Sequence, residues 1–189
     1  MNHCGYSYYG VLPSTVVDTL VEKCLKEKLE KGTIGTKDGD VVDESFRISN
    51  IKLLDIAKYE ELFQTIWRYA LNANRYAYGF DIANVENCQF SIYDSKDKAK
   101  YDWHIDTVWG NPSTFDRKIS LIIQLSDPSE YEGGQFQVKG VFNTEEEKEL
   151  MNKKGTIITI PSFVEHRVTP VTKGRRLSLI AWIEGNKFR

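Results

Sequence analysis

The chain has 189 residues, 41% hydrophobic and 28% charged, with a formal net charge of -2. This balance excludes a disordered chain, a collagen and a coiled coil, and the length suits one ordinary domain that buries its own core. The near-neutral charge gives no strong nucleic-acid signal and no attraction to an anionic membrane. Three cysteines, Cys4, Cys24 and Cys88, are odd in number, far apart and without a CxxC pair, which predicts a reducing compartment. Residues 1–10 lack a basic stretch followed by an apolar core, and no apolar run nears the ~20 residues of a membrane helix, so a soluble, cytoplasmic chain is expected. No repeat or linker divides the sequence, so 1–189 reads as a single domain.

In chain order, Pro13 and Ser14 precede an amphipathic stretch with Val17, Leu20, Val21, Cys24, Leu25 and Leu29 at helical spacing. Ser14 or Thr15 is the expected N-cap and Gly32 the stop. A strand is expected over 46–54. A second helix follows, with Tyr59, Leu62, Phe63, Ile66, Trp67, Ala70 and Leu71 on one face. Both apolar stripes predict a helical layer, over about 1–87, packed on a sheet. From Cys88 onward the pattern is β, with strands over 88–93, 101–107, 118–126, 135–139, 156–160, 165–171 and 175–183. Residues 143–154, with an acidic run at 145–147, read as a helix or excursion with a solvated face. The fold class is therefore mainly β with a helical layer (α+β). Its expected core, about 88–185, is a cupin-like jelly roll, or double-stranded β-helix.

Of the three histidines, His3 lies in the terminus, while His104 stands two residues before Asp106. On an extended strand residues i and i+2 share a face, so imidazole and carboxylate can converge on one ion. His166 lies on another predicted strand, which a jelly roll can bring opposite. Two histidines and one carboxylate with open positions suit non-haem Fe(II), and equally catalytic Zn(II). A surface ion pair, or a histidine satisfied in the core, is the plainer reading of His-x-Asp alone. Arg176 and Ser178 share a face of the otherwise apolar strand 175–183, with Arg175 pointing to the surface. A guanidinium there needs a partner: a ligand carboxylate aided by Ser178, a protein carboxylate, or water at an exposed edge.

These residues resemble a known family. The run Tyr101-Asp102-Trp103-His104-Ile105-Asp106 is similar to the first metal motif of the prolyl 4-hydroxylase-like iron(II)- and 2-oxoglutarate-dependent dioxygenases. The runs Gln124–Pro128 and Tyr131–Gly134 resemble the segment that follows it. Ile160–Phe163, His166–Val171, Gly174, Arg176 and Ser178 resemble the C-terminal signature. The resemblance spans about 88–183 and is nearest to PKHD-type hydroxylases of bacteria and phage. It implies His104, Asp106 and His166 as iron ligands, and Arg176 with Ser178 for the distal carboxylate of 2-oxoglutarate. Tyr93 and Gln124 would line the same pocket. It further implies O2 as oxidant, ascorbate as an optional reductant, and release of succinate and CO2. Asp106 favours hydroxylation over halogenation, since related halogenases replace that carboxylate by a small residue.

The implied substrate is a peptidyl proline, another protein side chain or a small molecule. Candidate contacts are Trp103, Trp109, the loop 107–117 and the tyrosines Tyr6, Tyr8 and Tyr9. Two readings of other classes stand beside it: a Zn-dependent hydrolase or isomerase on a similar barrel, and a non-catalytic binding module.

Overall fold

The structure, a computed structural model, describes residues 7–36, 39–110, 112–141 and 144–188, with only the backbone at 7–9 and 36. His3, Cys4, Tyr6, Asn111 and Asn143 lie outside the described residues. The first part runs β1 (Ser7–Val11), α1 (Ser14–Cys24), β2 (Glu30–Lys31), β3 (Ile34–Thr36), β4 (Gly39–Val41), β5 (Arg47–Ile48), β6 (Asn50–Leu53) and α2 (Glu60–Ala73). The second runs β7 (Asn84–Asp94), β8 (Lys100–His104), β9 (Phe115–Gln124), β10 (Tyr131–Gly133), β11 (Phe136–Val138), α3 (Glu145–Asn152), β12 (Thr156–Pro161), β13 (His166–Val168) and β14 (Val171–Asn186).

A large antiparallel sheet has the order β1-β12-β9-β14-β7-β6-β2, with β10 also paired to β14. A smaller sheet has the order β11-β13-β8-β5. The period-2 alternation of the central strands explains how these layers stack. Cys88, Phe90 and Ile92 of β7, Leu121 and Ile123 of β9, and Leu179 and Ala181 of β14 form one core with Val17, Leu20, Phe63, Ile66 and Ala70 of the helices. The opposite face meets the small sheet, where Tyr93, Ile122, Ile158 and Ile160 pack on Phe136, Val138 and Val168. That inner face also buries Gln89, Ser91, Ser120, Gln124, Arg176 and Ser178. The expected β-rich fold with supporting helices is thus present. Among the described residues, no helix is long and apolar enough to cross a membrane.

Several local expectations change. α1 ends at Cys24, well before Gly32, and Ser14 opens it without any side-chain cap. The chain leaves the helix there so that Glu30 and Lys31 can pair with β6. The strand expected over 46–54 is two strands in different sheets, β5 on β8 and β6 on β7, with Ser49 between them. The layer ahead of Cys88 is therefore not purely helical. Pro170 has no N–H to donate, and the strand expected over 165–171 breaks there into β13 and β14. α2 runs on through a π turn, Asn74–Tyr78, and stops at Gly79 with φ 69°. The acidic run does form a helix. Thr144 and Glu147 make a capping box, and Glu145, Glu146 and Glu147 occupy the first turn, where the helix dipole favours them.

Gly174 is where the long β14 needs glycine. Its φ is +66°, and a Cβ there would lie 2.0 Å from the Glu130 carbonyl oxygen. Gly174→Ala is expected to cost about 2–3 kcal/mol of stability in urea unfolding. An unchanged midpoint would show that β10 yields at this contact.

Candidate active site

β8 ends at His104, β13 begins at His166, and their antiparallel pairing sets the two residues opposite each other. The ring centroids are 4.2 Å apart. His104 Nδ1 lies 2.7 Å from the Asp102 carbonyl oxygen, and His166 Nδ1 lies 2.9 Å from that of Val164. A carbonyl only accepts, so each Nδ1 carries a proton, and each Nε2 is the atom turned toward Asp106. Asp106 completes the group, its oxygens 3.8 Å from His104 Nε2 and 3.5 Å from His166 Nε2. One ligand atom from each residue lies within 4.8 Å of the others. The reason differs from strand alternation, however. Asp106 lies beyond the end of β8, where its N–H and that of Thr107 donate to the Ser162 carbonyl at 2.8 and 3.0 Å.

Ser120, on β9, donates to Asp106 Oδ2 at 2.6 Å. Its one proton is thereby used, so Ser162 Oγ, 2.9 Å away, donates to Ser120. Burial works to raise the Asp106 carboxyl, but the two imidazoles, the Ser120 hydroxyl and Arg117 outweigh it and hold the group below its ordinary range. Burial, reinforced by His166, pushes the His104 imidazolium down to about 3. At neutral pH the neutral His104 imidazole therefore stands beside an ionised carboxylate, and with His166 they form a donor set suited to a divalent ion.

Arg176 is 1% exposed, which rules out the exposed edge. Its Nη2 donates to Gln124 Oε1 at 2.8 Å and its Nη1 to Ser178 Oγ at 3.3 Å. Among the described residues no carboxylate forms an ion pair with it, so the charge has neutral partners only. Tyr93 stands beside it, the guanidinium carbon 5.5 Å from the ring centroid. Arg175 is exposed, as expected. Arg176, Ser178, Tyr93, His104, Asp106 and His166 line a single cavity between the two sheets, and Gln124 reaches it through its bond to Arg176.

Among the described residues, four buried side-chain nitrogens have no hydrogen-bond partner: His166 Nε2, Arg176 Nε, Gln124 Nε2 and Trp182 Nε1. Three of these residues line that cavity and the fourth bonds to Arg176. Buried polar atoms are rarely left unpaired without an absent ion, water or ligand to explain it.

Sequence reasoning missed several residues here. Ser120 and Ser162 hold the carboxylate. Trp182 lines the cavity under the Arg117 guanidinium (4.1 Å), which Glu86 grips at 2.6 and 2.8 Å. Tyr101 and Arg47 also line it. The inward positions Ser120 and Gln124 among isoleucines carried a usable signal. Of the expected substrate contacts, Trp103 lies under Arg167 and lines a groove against β11 and α3, away from the histidines. Trp109 is exposed and packs on Phe188. Tyr8 and Tyr9 are described only as β1 backbone.

This arrangement has known counterparts. Residues 88–184 match the sequence pattern of the 2OG-Fe(II) oxygenase superfamily, and the chain belongs to it. Curated relatives include a PKHD-type hydroxylase of Teredinibacter turnerae, 33% identical over 99 residues, which are 51% of this chain and 42% of that protein. Another, from Hyphomonas neptunium, is 38% identical over 86 residues, 44% of this chain and 37% of that one. The matches thus cover only about two-fifths of those relatives' length. Among solved structures, a Pseudomonas putida prolyl-4-hydroxylase superposes with a TM-score of 0.72 at 21% identity, covering 98% of this chain and 95% of its own. A Trichoplax adhaerens prolyl hydroxylase, in complex with a hypoxia inducible factor peptide fragment, gives 0.75 at 16% identity, covering 96% and 84%. These likenesses establish the fold.

Ser120→Ala removes a donor from a buried carboxylate and is expected to lower stability by about 1–3 kcal/mol in thermal or urea unfolding of the metal-free protein. Stability equal to the parent would mean that Asp106 finds another donor.

Proposed function

We propose that this protein is an Fe(II)- and 2-oxoglutarate-dependent hydroxylase. In this reading His104, Asp106 and His166 hold the metal. Arg176 holds the distal carboxylate of 2-oxoglutarate, with Ser178, Gln124 and Tyr93 around it. One observation carries the reading: the unpartnered buried nitrogens gather at this cavity, beside a cation that has no counter-charge among the described residues. A metal suits the unpartnered His166 Nε2, and a small dianion suits Arg176. A zinc hydrolase would leave the buried Arg176–Gln124–Ser178 group without a task.

Bound iron supplies the activation of O2 that couples oxidative decarboxylation of 2-oxoglutarate, to succinate and CO2, with hydroxylation. The chain's own contributions follow from its geometry. Ser120 and Ser162 keep Asp106 ionised and oriented. The Asp102 and Val164 carbonyls fix the imidazole tautomers. Arg176 is desolvated beforehand, so its charge-assisted bonds to a carboxylate act at full strength in a dry site. Ile122 and Ile180 line the cavity between its charged ends and exclude water there.

The substrate we favour is a peptidyl proline or another protein side chain, supported by the peptide-bound prolyl hydroxylase of the same fold. Small molecules are the alternative. The helices share a core with the large sheet, which supports reading 1–189 as one catalytic domain. Cys24 and Cys88 are free, in keeping with a reducing, cytoplasmic setting.

Anaerobic addition of Fe(II) and 2-oxoglutarate is expected to give a visible charge-transfer band, and admitting O2 to give succinate. Asp106→Ala should abolish iron-dependent succinate formation. Arg176→Ala should weaken 2-oxoglutarate binding about 10- to 100-fold, the loss of a charge-assisted pair. Unchanged cosubstrate affinity in Arg176→Ala would overturn its assignment. A protein that gives no band and binds Zn(II) tightly instead would overturn the iron reading.

A further inference from the structure

Against His104 lies a stack of planar groups that the proposed chemistry leaves unexplained. The Tyr101 ring lies on the His104 imidazole, centroids 3.5 Å apart and planes inclined by 11°. The Arg47 guanidinium carbon lies 4.5 Å from the Tyr101 centroid. Two features of the backbone create this stack. Arg47 of β5 pairs directly with Tyr101 of β8, so both side chains leave the sheet on one face. His104 stands opposite His166, yet Tyr101, not Asp102, stands opposite Val168. The extra residue is a bulge in β8, and it re-aims Tyr101 to the same side as His104.

Arg47 is itself rigidly held. It is 5% exposed, and its Nε donates to Ser49 Oγ at 2.9 Å and its Nη1 to the Thr33 carbonyl at 2.8 Å. Gly32 closes over it: a Cβ there would meet Ser49 Oγ at 2.3 Å and Arg47 Nε at 2.6 Å. A buried guanidinium that spends its donors on a hydroxyl and a carbonyl, with its face on a tyrosine, is built to keep that tyrosine in place. The hydrogen bond from Nδ1 to the Asp102 carbonyl leaves the His104 ring free to tilt about that bond, and the Tyr101 face removes the tilt.

We infer that Arg47 is a positioning residue, acting through Tyr101 to hold the His104 ring in the plane that directs Nε2 at the metal, with Gly32 the space that admits the guanidinium. The inference rests on reading His104 as a metal ligand. It gives the segment ahead of the barrel, outside the 88–184 match, a part in metal binding. Partners that orient a metal-binding histidine commonly contribute 10- to 100-fold to affinity.

The test uses the full chain and Co(II), followed anaerobically by its ligand-field absorption. Arg47→Met and Gly32→Ala are each expected to weaken Co(II) binding about 10-fold or more and to shift the band. Arg47→Lys, which keeps a cation over the ring, should restore part of the loss. Tyr101→Phe, which keeps the face, should stay within about twofold of the parent. A merely structural role would lower the melting temperature and leave the band of the loaded protein in place. Parental affinity and spectrum in Arg47→Met and Gly32→Ala overturn the inference. Should Arg47→Met fail to fold, parental affinity and spectrum in Gly32→Ala overturn it. If His104→Ala binds Co(II) as the parent does, the metal reading of His104 falls first and the inference with it.

Discussion

The pairing of β8 with β13 is the contact on which the site depends. It sets His104 opposite His166, residues far apart along the chain, and the Ser162 carbonyl just before β13 then captures Asp106. Strands of five and three residues could not hold such a register by themselves. The frame is the large sheet. The long β14 lies between β7 and β9 over residues 178–184, and the outer faces of these strands are sealed by the helices in a continuous apolar core. The small sheet inherits its position from that frame, so the precision of the cluster is set by apolar burial several layers away.

The inner face of the large sheet forgoes some of that apolar burial. Six inward positions, Gln89, Ser91, Ser120, Gln124, Arg176 and Ser178, are buried and polar where the outward neighbours are Phe, Ile, Leu and Ala. A guanidinium and a carboxylate are among the groups taken out of water, and burying them unpaired costs several kcal/mol each. The sheet meets part of this cost with local bonds, Ser120 to Asp106 and Gln124 and Ser178 to Arg176. Among the described residues it leaves three nitrogens unmet, Gln124 Nε2, Arg176 Nε and Trp182 Nε1. A fold built only for stability would fill those positions with hydrocarbon.

The layers and the three metal-binding candidates were legible because they rest on patterns the chain states outright. Period-2 alternation marks β7, β9 and β14, a 3.6-residue stripe marks α2, and rare residue types stand alone on apolar strands. What stayed hidden depends on geometry that composition does not encode. Nothing in 46–54 announces that the chain changes sheets at Ser49. The bulge in β8 is one residue of slip, and it alone decides whether Tyr101 faces the imidazole or the solvent. Gly32 reads as a helix stop on local grounds, whereas its role is to let a distant arginine approach. The i, i+2 rule expects His104 and Asp106 to converge, and they do, but for a different reason, since the strand ends between them.

Register also orders the cavity. On β9 and β14 the inward pairs run Ser120 with Trp182, Ile122 with Ile180, and Gln124 with Ser178. Ser120 holds Asp106 and Gln124 holds Arg176, so the anionic and cationic ends stand four residues apart on one strand, about 14 Å of backbone at the usual rise. Two isoleucines occupy the interval. A small acid that engages Arg176 therefore has to cross an apolar strip to reach the histidines. The same strip keeps Arg176 from neutralising Asp106 directly. Were the two charges allowed to meet, they would satisfy each other, and neither a cation nor a carboxylate would gain by entering. Ser120 and Gln124, four residues apart on β9, hold the two charges at separate points.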